Sequence, residues 1–175
     1  MGKNRIGKIL VTEEQIVARC KELGAKITKD YQGKTPIIVG LLTGAVPFVA
    51  ELIKHIDGEI VLDFMSVKSY QGNIQQSKLA FIHDITTCVQ GEDVIIVDDV
   101  ADSGLTLSAI VDHMLKKGAK SVKLCCLLDK PDAKKHPVHL DYVGFTIEND
   151  FVIGFGLDYN GRYRNLPYIA LYVLD

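Results

Sequence analysis

The chain has 175 residues, of which 47% are hydrophobic and 24% are charged. These values are typical of one globular domain with a sizeable core, and they argue against extended disorder. The formal net charge of −2 excludes a general electrostatic attraction to nucleic acid or to anionic membranes, so a bound polyanion requires a local site.

The cysteines and the apolar runs predict a soluble cytoplasmic protein. The four cysteines are Cys20, Cys88, Cys125 and Cys126. Their spacing is not that of a zinc site, and unpatterned thiols are typical of the reducing cytoplasm. The first residues have no apolar segment typical of a signal peptide, and no apolar run approaches the roughly 20 residues that span a bilayer.

Helices and strands are predicted to alternate over residues 13–128. Thr12 and Gln15 form the pattern of a helix-capping box. The continuous apolar runs, rich in β-branched residues, indicate strands buried on both faces. The predicted elements are a helix at 13–29, a strand at 37–42, a short helix at 48–56, strands at 59–67, 79–85 and 94–98, a helix that begins within 102–106 and stops at Gly118, and a strand at 121–128. This alternation predicts an α/β fold, with a mostly parallel sheet flanked by helices on both faces.

Two regions depart from this alternation. Residues 68–78 are polar and without an apolar period, and a loop of that length in a compact domain is usually functional or disordered. The last part of the chain contains short strand-like segments and no long helix. We interpret it as a small hood, built largely from about 138–175 and the N-terminal segment, within a single domain of residues 1–175.

Polar residues follow three of the predicted strands. They are Thr43 and Gly44, then Asp98, Asp99 and Asp102, then Asp129 and Lys130. Ligands of open α/β sheets bind beyond the carboxyl ends of the strands, so these groups should meet at one edge. Carboxylates so close together repel each other unless a cation or a hydroxyl-rich ligand lies between them. Mg²⁺ fits, because it prefers carboxylate, water and phosphate oxygens.

The segment from Ser103 to Thr106 has the pattern of a phosphate site at the start of a helix. Backbone N–H groups are unpaired there, the helix dipole is positive, and Gly104 would permit close approach of the backbone. The alternative interpretation is that Asp102 or Ser103 only caps the helix.

The segment VIIVDDVADSGLT resembles the phosphoribosyl-pyrophosphate motif of type I phosphoribosyltransferases. Five further segments resemble, in order and spacing, the hypoxanthine-guanine phosphoribosyltransferase family: LLTGAVPF, DFMSVKSY, LLDKP, DYVGFTI and FVIGFGLDYNGRYRNLPYI. The resemblance covers roughly residues 37–170. It implies the type I phosphoribosyltransferase fold and a Mg²⁺-dependent enzyme of purine salvage. Such an enzyme transfers 5-phosphoribosyl from phosphoribosyl pyrophosphate to N9 of hypoxanthine or guanine, giving IMP or GMP and pyrophosphate. A homodimer or homotetramer is also implied.

The resemblance also implies a role for each site residue. Asp102 would be the general base at purine N7. Asp98 and Asp99 would hold the ribose hydroxyls and the associated Mg²⁺, and the 5′-phosphate would be bound by Ser103, Gly104, Leu105 and Thr106. Thr43, Gly44 and Arg164 would bind pyrophosphate. The purine would be bound by Lys130 at O6, by the Phe151 ring, by the Val152 backbone and by Asp158, which could instead hold a second Mg²⁺. Ser69 and Tyr70 match a flap that closes over the site.

Two residues depart from the family pattern. Thr43 stands where many relatives have a basic residue, which removes one positive contact to pyrophosphate. Asp98 stands where glutamate is usual, so its shorter side chain could reach ribose or metal through water. Family members often have a non-proline cis peptide bond at the pyrophosphate loop, which no sequence pattern reveals.

Two other functions are compatible with parts of the sequence. A signalling receiver domain also has an acidic pair at a strand end, but this pair lies on its first strand. A receiver domain would also leave unexplained the segment from Ser103 to Thr106, which we call the phosphate turn. A non-catalytic regulator that senses phosphoribosyl pyrophosphate, or binds RNA, would have the same fold. The presence of Asp102 and Lys130 favours the enzyme, and the mild acidity argues against RNA. Preference among hypoxanthine, guanine and xanthine depends on contacts at C2, which the sequence does not specify.

Overall fold

The computed structural model describes residues 5–70 and 78–173. Its elements in chain order are β1 (Ile6–Val11), α1 (Glu13–Asp30), β2 (Ile37–Leu41), α2 (Val46–Ile53), β3 (Val61–Tyr70), β4 (Lys78–His83), β5 (Asp93–Ala101), α3 (Leu105–Lys116), β6 (Ser121–Asp129), β7 (Tyr142–Thr146), β8 (Val152–Ile153) and β9 (Ile169–Tyr172). A short 3₁₀ helix, Pro131–Ala133, follows β6.

The larger sheet has the strand order β4-β3-β2-β5-β6-β7. All neighbouring strands in it are parallel, except that β4 runs antiparallel to β3. The chain moves toward one edge from β2 to β3 and toward the other edge from β5 to β6. Since both crossovers are expected to be right-handed, α2 and α3 lie on opposite faces. The predicted α/β fold with a mostly parallel sheet is confirmed, and the carboxyl ends of β2, β5 and β6 meet at one edge.

A smaller antiparallel sheet, in the order β1-β9-β8, joins the two ends of the described chain, and we call it the hood. The sequence analysis assigned residues 142–146 to the hood, and this part of the assignment was wrong. These residues form β7 at the edge of the larger sheet, parallel to β6. The reason is that Tyr142 and Gly144 are buried against the main sheet, a partnership that the local apolar pattern does not reveal.

The first helix begins as predicted. Thr12 Oγ1 accepts a hydrogen bond from Gln15 N at 3.3 Å, and Gln15 Oε1 accepts one from Thr12 N at 2.8 Å. Its buried stripe consists of Ile16, Cys20, Leu23, Gly24 and Ile27. All four cysteines are free thiols. Among the described residues, no helix is both long and apolar enough to cross a membrane.

The predicted loop at 68–78 is shorter than expected, because β3 and β4 extend into it and pair as a hairpin. Residues 71–77 lie outside the described residues. At its base the hairpin is attached to α3, since Asp84 Oδ2 lies 2.9 Å from His113 Nε2 and 2.7 Å from Lys117 Nζ. Phe81 of β4 also stacks on His113, with ring centroids 4.1 Å apart. The hairpin is therefore anchored to the helix that follows the phosphate turn.

Candidate active site

The acidic pair lies inside β5 and not after it. We predicted a strand end at residue 98, but β5 continues to Ala101, with Asp98 opposite Cys126 and Ala101 opposite Asp129 in β6. Parallel pairing continues because the main-chain bonds do not depend on side-chain charge. Asp98 Oδ1 also accepts a hydrogen bond from Asp99 N at 3.0 Å. The two carboxyl groups are thus held on a rigid strand at the edge where ligands of this fold bind.

Both carboxyl groups of the pair have perturbed acidity. Burial raises the pKa of Asp98 well above its ordinary value, and the negative charge of Asp99 raises it further. Burial also raises the pKa of Asp99, while hydrogen bonding to Asp98 and the charge of Arg164 act in the opposite direction. A cation placed at this pair would offset the repulsion between the two ionised groups.

The pair has the donor chemistry that Mg²⁺ requires. Mg²⁺ is usually held by one or two carboxylates together with water and substrate phosphate, and not by a complete protein cage. Within residues 5–70 and 78–173, no group of three or more histidine, cysteine, aspartate or glutamate side chains is arranged to hold a metal ion. By their donor chemistry, the two carboxylates of the pair fit a Mg²⁺ ion whose other ligands are water and phosphate oxygens.

We expect Asp98→Asn to stabilise the metal-free protein. Because the pKa of Asp98 is higher in the folded protein than in the unfolded chain, the folded protein binds more protons between those two values. The free energy of unfolding therefore falls as pH rises through that window. Asparagine has no charge to bury, so we expect a gain above the window of about 0.5–2 kcal/mol, the usual size of a single stabilising substitution.

Denaturant unfolding in the presence of a chelator, at several pH values, measures this gain. It should disappear as pH falls below the ordinary range of aspartate pKa values. The exposed Asp112→Asn variant on α3 is the control, and a gain that does not change with pH would contradict the explanation.

The phosphate turn connects β5 to α3. Neither Asp102 nor Ser103 occupies the N-cap position of the helix, although the Ser103 side chain accepts a hydrogen bond from Leu105 N in the first turn. Gly104 occupies that position in a left-handed conformation, with φ of 81°, which glycine adopts without strain. Asp102 is exposed, and Ser103 Oγ lies 3.4 Å from Leu105 N. The N–H groups at the start of α3, including those of Leu105 and Thr106, thus follow directly after the acidic residues.

The segment that follows β6 packs against the phosphate turn. Lys135 N and His136 N each donate to Ser103 O at 3.0 Å. A Cβ atom at Gly104 would lie 2.5 Å from His136 O, so the turn and this segment are in direct backbone contact. Lys130 N likewise donates to Ala101 O at 3.1 Å. Backbone contacts therefore fix the turn independently of any ligand.

The predicted pyrophosphate loop packs against the acidic pair. The peptide bond between Leu42 and Thr43 is cis. A Cβ atom at Gly44 would lie only 1.8 Å from Asp99 Oδ2, and a Cβ atom at Gly156 would lie 1.9 Å from Gly44 O. Three segments that are distant in the sequence thus meet at Gly44 with no room for a methyl group.

The predicted purine residues lie together at the junction of β6 and the hood. The Lys130 side chain is buried, and its Nζ donates to Asp150 O at 2.7 Å. Phe151, the next residue, is 45% exposed, whereas Val152 is buried in β8. The Lys130 ammonium group therefore lies against the residue that directly precedes the half-exposed Phe151.

Asp158 and Arg164 form an ion pair, with 2.7 Å between Asp158 Oδ1 and Arg164 Nη2. Asp158 Oδ2 also accepts a hydrogen bond from Gly161 N at 2.7 Å, and Arg164 Nη1 donates to Gly156 O. The Arg164 charge also influences Asp99. A metal at Asp158 would have to compete with these two partners. Ser69 and Tyr70 lie in β3, paired with Leu79 and Lys78, and their side chains are outside the described part of the chain.

Two functional contacts were missed by the sequence analysis. Lys130 is oriented by a main-chain carbonyl, that of Asp150, and carbonyls carry no residue-type signal. Gly156 lies in the run from Gly154 to Gly156, in which all three residues have positive φ, Phe155 included at 47°. The two glycines of that run were a signal for an unusual backbone, because glycine is the default residue at such positions.

This chain is similar in sequence and in fold to proteins whose family is known. A family model described as phosphoribosyl transferase domain matches residues 8–160. The hypoxanthine-guanine phosphoribosyltransferase of Bacillus subtilis (strain 168) is 47% identical over 172 residues, which are 98% of this chain and 96% of that protein. The same enzyme of Lactococcus lactis subsp. lactis (strain IL1403) is 49% identical over 167 residues, covering 95% and 91% respectively. A crystal structure of a Staphylococcus aureus hypoxanthine phosphoribosyltransferase has a TM-score of 0.93 at 42% identity, covering 97% of this chain and 93% of that one.

Proposed function

Since the chain belongs to the hypoxanthine-guanine phosphoribosyltransferase family, we propose that it transfers 5-phosphoribosyl from phosphoribosyl pyrophosphate to N9 of hypoxanthine or guanine. The products are IMP or GMP and pyrophosphate, and the reaction serves purine salvage. The observation that carries the proposal is the contact of Gly44 with both Asp99 and Gly156. It joins the segments proposed for sugar, pyrophosphate and base into one site.

In this proposal the phosphoribosyl group binds at the end of β5. The N–H and hydroxyl groups of Ser103–Thr106 bind the 5′-phosphate, because a helix start attracts anions. Asp98 and Asp99 bind the ribose hydroxyls. They also hold Mg²⁺, which supplies charge neutralisation of the pyrophosphate leaving group when it is bound.

The leaving group and the base occupy the two sides of this sugar site. Thr43 and Gly44 bind pyrophosphate through their backbone, assisted by Arg164, whose planar fork of donors suits phosphate oxygens. On the other side, Phe151 stacks on the purine and Val152 binds its edge through the main chain. Asp158 contacts the base edge through Oδ2, the oxygen that is not paired with Arg164 and that also accepts from Gly161 N, or holds a second metal ion.

Asp102 is the general base in this proposal. Its exposure after β5 leaves the carboxylate accessible to purine N7. Ser69 and Tyr70 belong to the hairpin that closes over the site, because exclusion of water protects a ribosyl cation from hydrolysis.

A panel of four bases tests the proposed reaction. Purified protein with Mg²⁺ and phosphoribosyl pyrophosphate should convert hypoxanthine and guanine to their nucleotides, with adenine as the negative control and xanthine included to define selectivity at C2. A chelator should abolish turnover, and added Mg²⁺ should restore it. Absence of nucleotide formation with all four bases, combined with binding of phosphoribosyl pyrophosphate, would instead favour the sensing regulator.

Replacement of Lys130 tests recognition of purine O6. Lys130→Met retains an unbranched side chain, one atom shorter than that of lysine, but removes its charge and donors. A hydrogen bond to a charged group contributes about 1.5–3 kcal/mol, so we expect kcat/KM for hypoxanthine to fall by roughly 10- to 150-fold. The KM for phosphoribosyl pyrophosphate should change little. The exposed Lys116→Met variant on α3 is the control, and an equal loss for both substrates would contradict a role limited to the base.

We also propose that the enzyme is a cytoplasmic homodimer or homotetramer. Free thiols, including the exposed Cys88, are compatible with a reducing compartment. Leu42, Val46, Leu62 and Ile82 are exposed apolar side chains, and exposed apolar surface often marks an assembly interface. Sedimentation should give a multiple of the 19.3 kDa chain mass, and a monomer at micromolar concentration would contradict this assembly.

A further inference from the structure

The Phe151 ring is surrounded by tyrosines of the hood. Tyr159 contacts it nearly at right angles, with ring centroids 5.8 Å apart and an interplanar angle of 86°. Tyr172 contacts it at 5.8 Å and 63°. The two tyrosines also stack on each other, with centroids 4.3 Å apart. We call these three residues the aromatic cluster.

The two tyrosines are held more firmly than Phe151. Tyr172 is buried, its N–H donates to Phe151 O at 2.9 Å, and its hydroxyl accepts a hydrogen bond from Arg5 at 3.3 Å. Tyr159 is fixed by a turn in which its N–H and carbonyl both bond to Arg162, at 3.2 and 3.1 Å. Phe151 is 45% exposed. The cluster therefore consists of two hydrogen-bonded tyrosines and one half-exposed phenylalanine.

These contacts fix the plane of the Phe151 ring. An aromatic ring can normally rotate about its Cβ–Cγ bond, because that torsion is broad. Here Tyr159 and Tyr172 contact the ring at interplanar angles of 86° and 63°, in the edge-to-face geometry that aromatic pairs favour, and rotation of the ring would lose that geometry. A planar base then meets a surface of fixed orientation, and it does not have to immobilise the ring when it binds.

We propose that Tyr159 and Tyr172 are positioning residues that orient Phe151 for stacking on the purine. The inference rests on the proposed function, in which Phe151 stacks on the base, and it assigns a role in base affinity to residues that need not contact the substrate. Tyr159 also follows Asp158 directly, so its turn connects the aromatic cluster to the ion pair of Asp158 with Arg164.

Steady-state kinetics of Tyr159 variants test this role. Tyr159→Leu removes the ring, and an aromatic pair is worth about 0.5–1.5 kcal/mol beyond its buried area. We therefore expect the KM for hypoxanthine to rise by about 2- to 12-fold, with kcat and the KM for phosphoribosyl pyrophosphate nearly unchanged. Tyr159→Phe retains the ring and should restore the parental KM. Tyr168→Leu, a tyrosine outside the cluster, is the matched control, and thermal unfolding of every variant verifies folding.

A double-mutant cycle with Phe151→Ala completes the test. If Tyr159 acts through Phe151, Tyr159→Leu should have no further effect on the hypoxanthine KM once the Phe151 ring is absent. An equal effect in both backgrounds, or no effect in the parent, would overturn the proposal while leaving the enzyme activity intact. If Phe151→Ala leaves the KM for hypoxanthine unchanged, the stacking role of Phe151 and this proposal both fail. Turnover by the parent protein would still support the proposed function. Tyr159→Met replaces Tyr159→Leu if the latter does not fold.

Discussion

Replacement of Asp102 by asparagine is expected to slow turnover by about 10²- to 10⁴-fold, the usual contribution of a positioned acid–base group. The amide has nearly the same shape as the carboxylate, but it cannot take a proton from the base. Asp102 is exposed at the end of β5, so the substitution buries no unpaired group. Folding and nucleotide binding should therefore persist while the chemical step is lost.

Single-turnover kinetics and IMP binding, measured on the same preparation, separate these effects. The chemical rate should fall while the dissociation constant for IMP stays within a few-fold of the parent value. Asp112→Asn, at an exposed aspartate on α3, is the matched control for the loss of one negative charge. An unchanged chemical rate in the Asp102 variant would remove that residue from the role of general base.

Gly44→Ala is expected to abolish most activity without unfolding the protein. The new methyl group would lie 1.8 Å from Asp99 Oδ2, much closer than atoms can approach, so either the loop or the carboxylate must move. A displacement of about 1 Å at a catalytic site can reduce the rate by about 10²-fold. Because Asp99 and the loop are proposed to bind the same substrate, the KM for phosphoribosyl pyrophosphate should rise as well.

Gly33→Ala is the control for a glycine replacement in general. Its Cβ atom would meet nothing within 4 Å, but Gly33 has φ of 74°, so alanine there should reduce stability by about 1 kcal/mol and leave activity intact. Kinetics and thermal unfolding of both variants distinguish a local clash from a loss of stability. If Gly44→Ala retains parental kinetics, the close contact has no functional role.

Local patterns predicted the elements but not the contacts between distant segments. The capping box of Thr12 and Gln15 and the buried strand at 37–42 are encoded within a few residues, and both were found as predicted. The assignment of residues 142–146 failed because a short apolar strand does not specify which sheet it joins. The end of β5 was placed too early because Asp98 and Asp99 look like a boundary, whereas main-chain pairing tolerates them.

The site was predictable to the extent that chemistry follows residue type. Acidic residues, a glycine-containing turn and a lysine after a strand are visible in the sequence, and the structure brings them to one edge. The junction at Gly44 is not visible, because it joins the backbone of Gly44 and Gly156 to the Asp99 carboxylate, and these three residues are far apart in the sequence. The aromatic cluster is also not visible, since nothing in the spacing of Phe151, Tyr159 and Tyr172 indicates that their rings meet.

The hydrogen bond from Lys130 to the Asp150 carbonyl has a consequence for the entropy of binding. A lysine side chain that is fixed only when a ligand arrives loses rotamer freedom, at a cost of about 1.5–2 kcal/mol. In this protein that loss occurs during folding, since the side chain is already buried and bonded at 2.7 Å. Under the proposed role of Lys130, the purine meets an ammonium group whose direction is set before binding, and its association free energy does not include the ordering of that side chain.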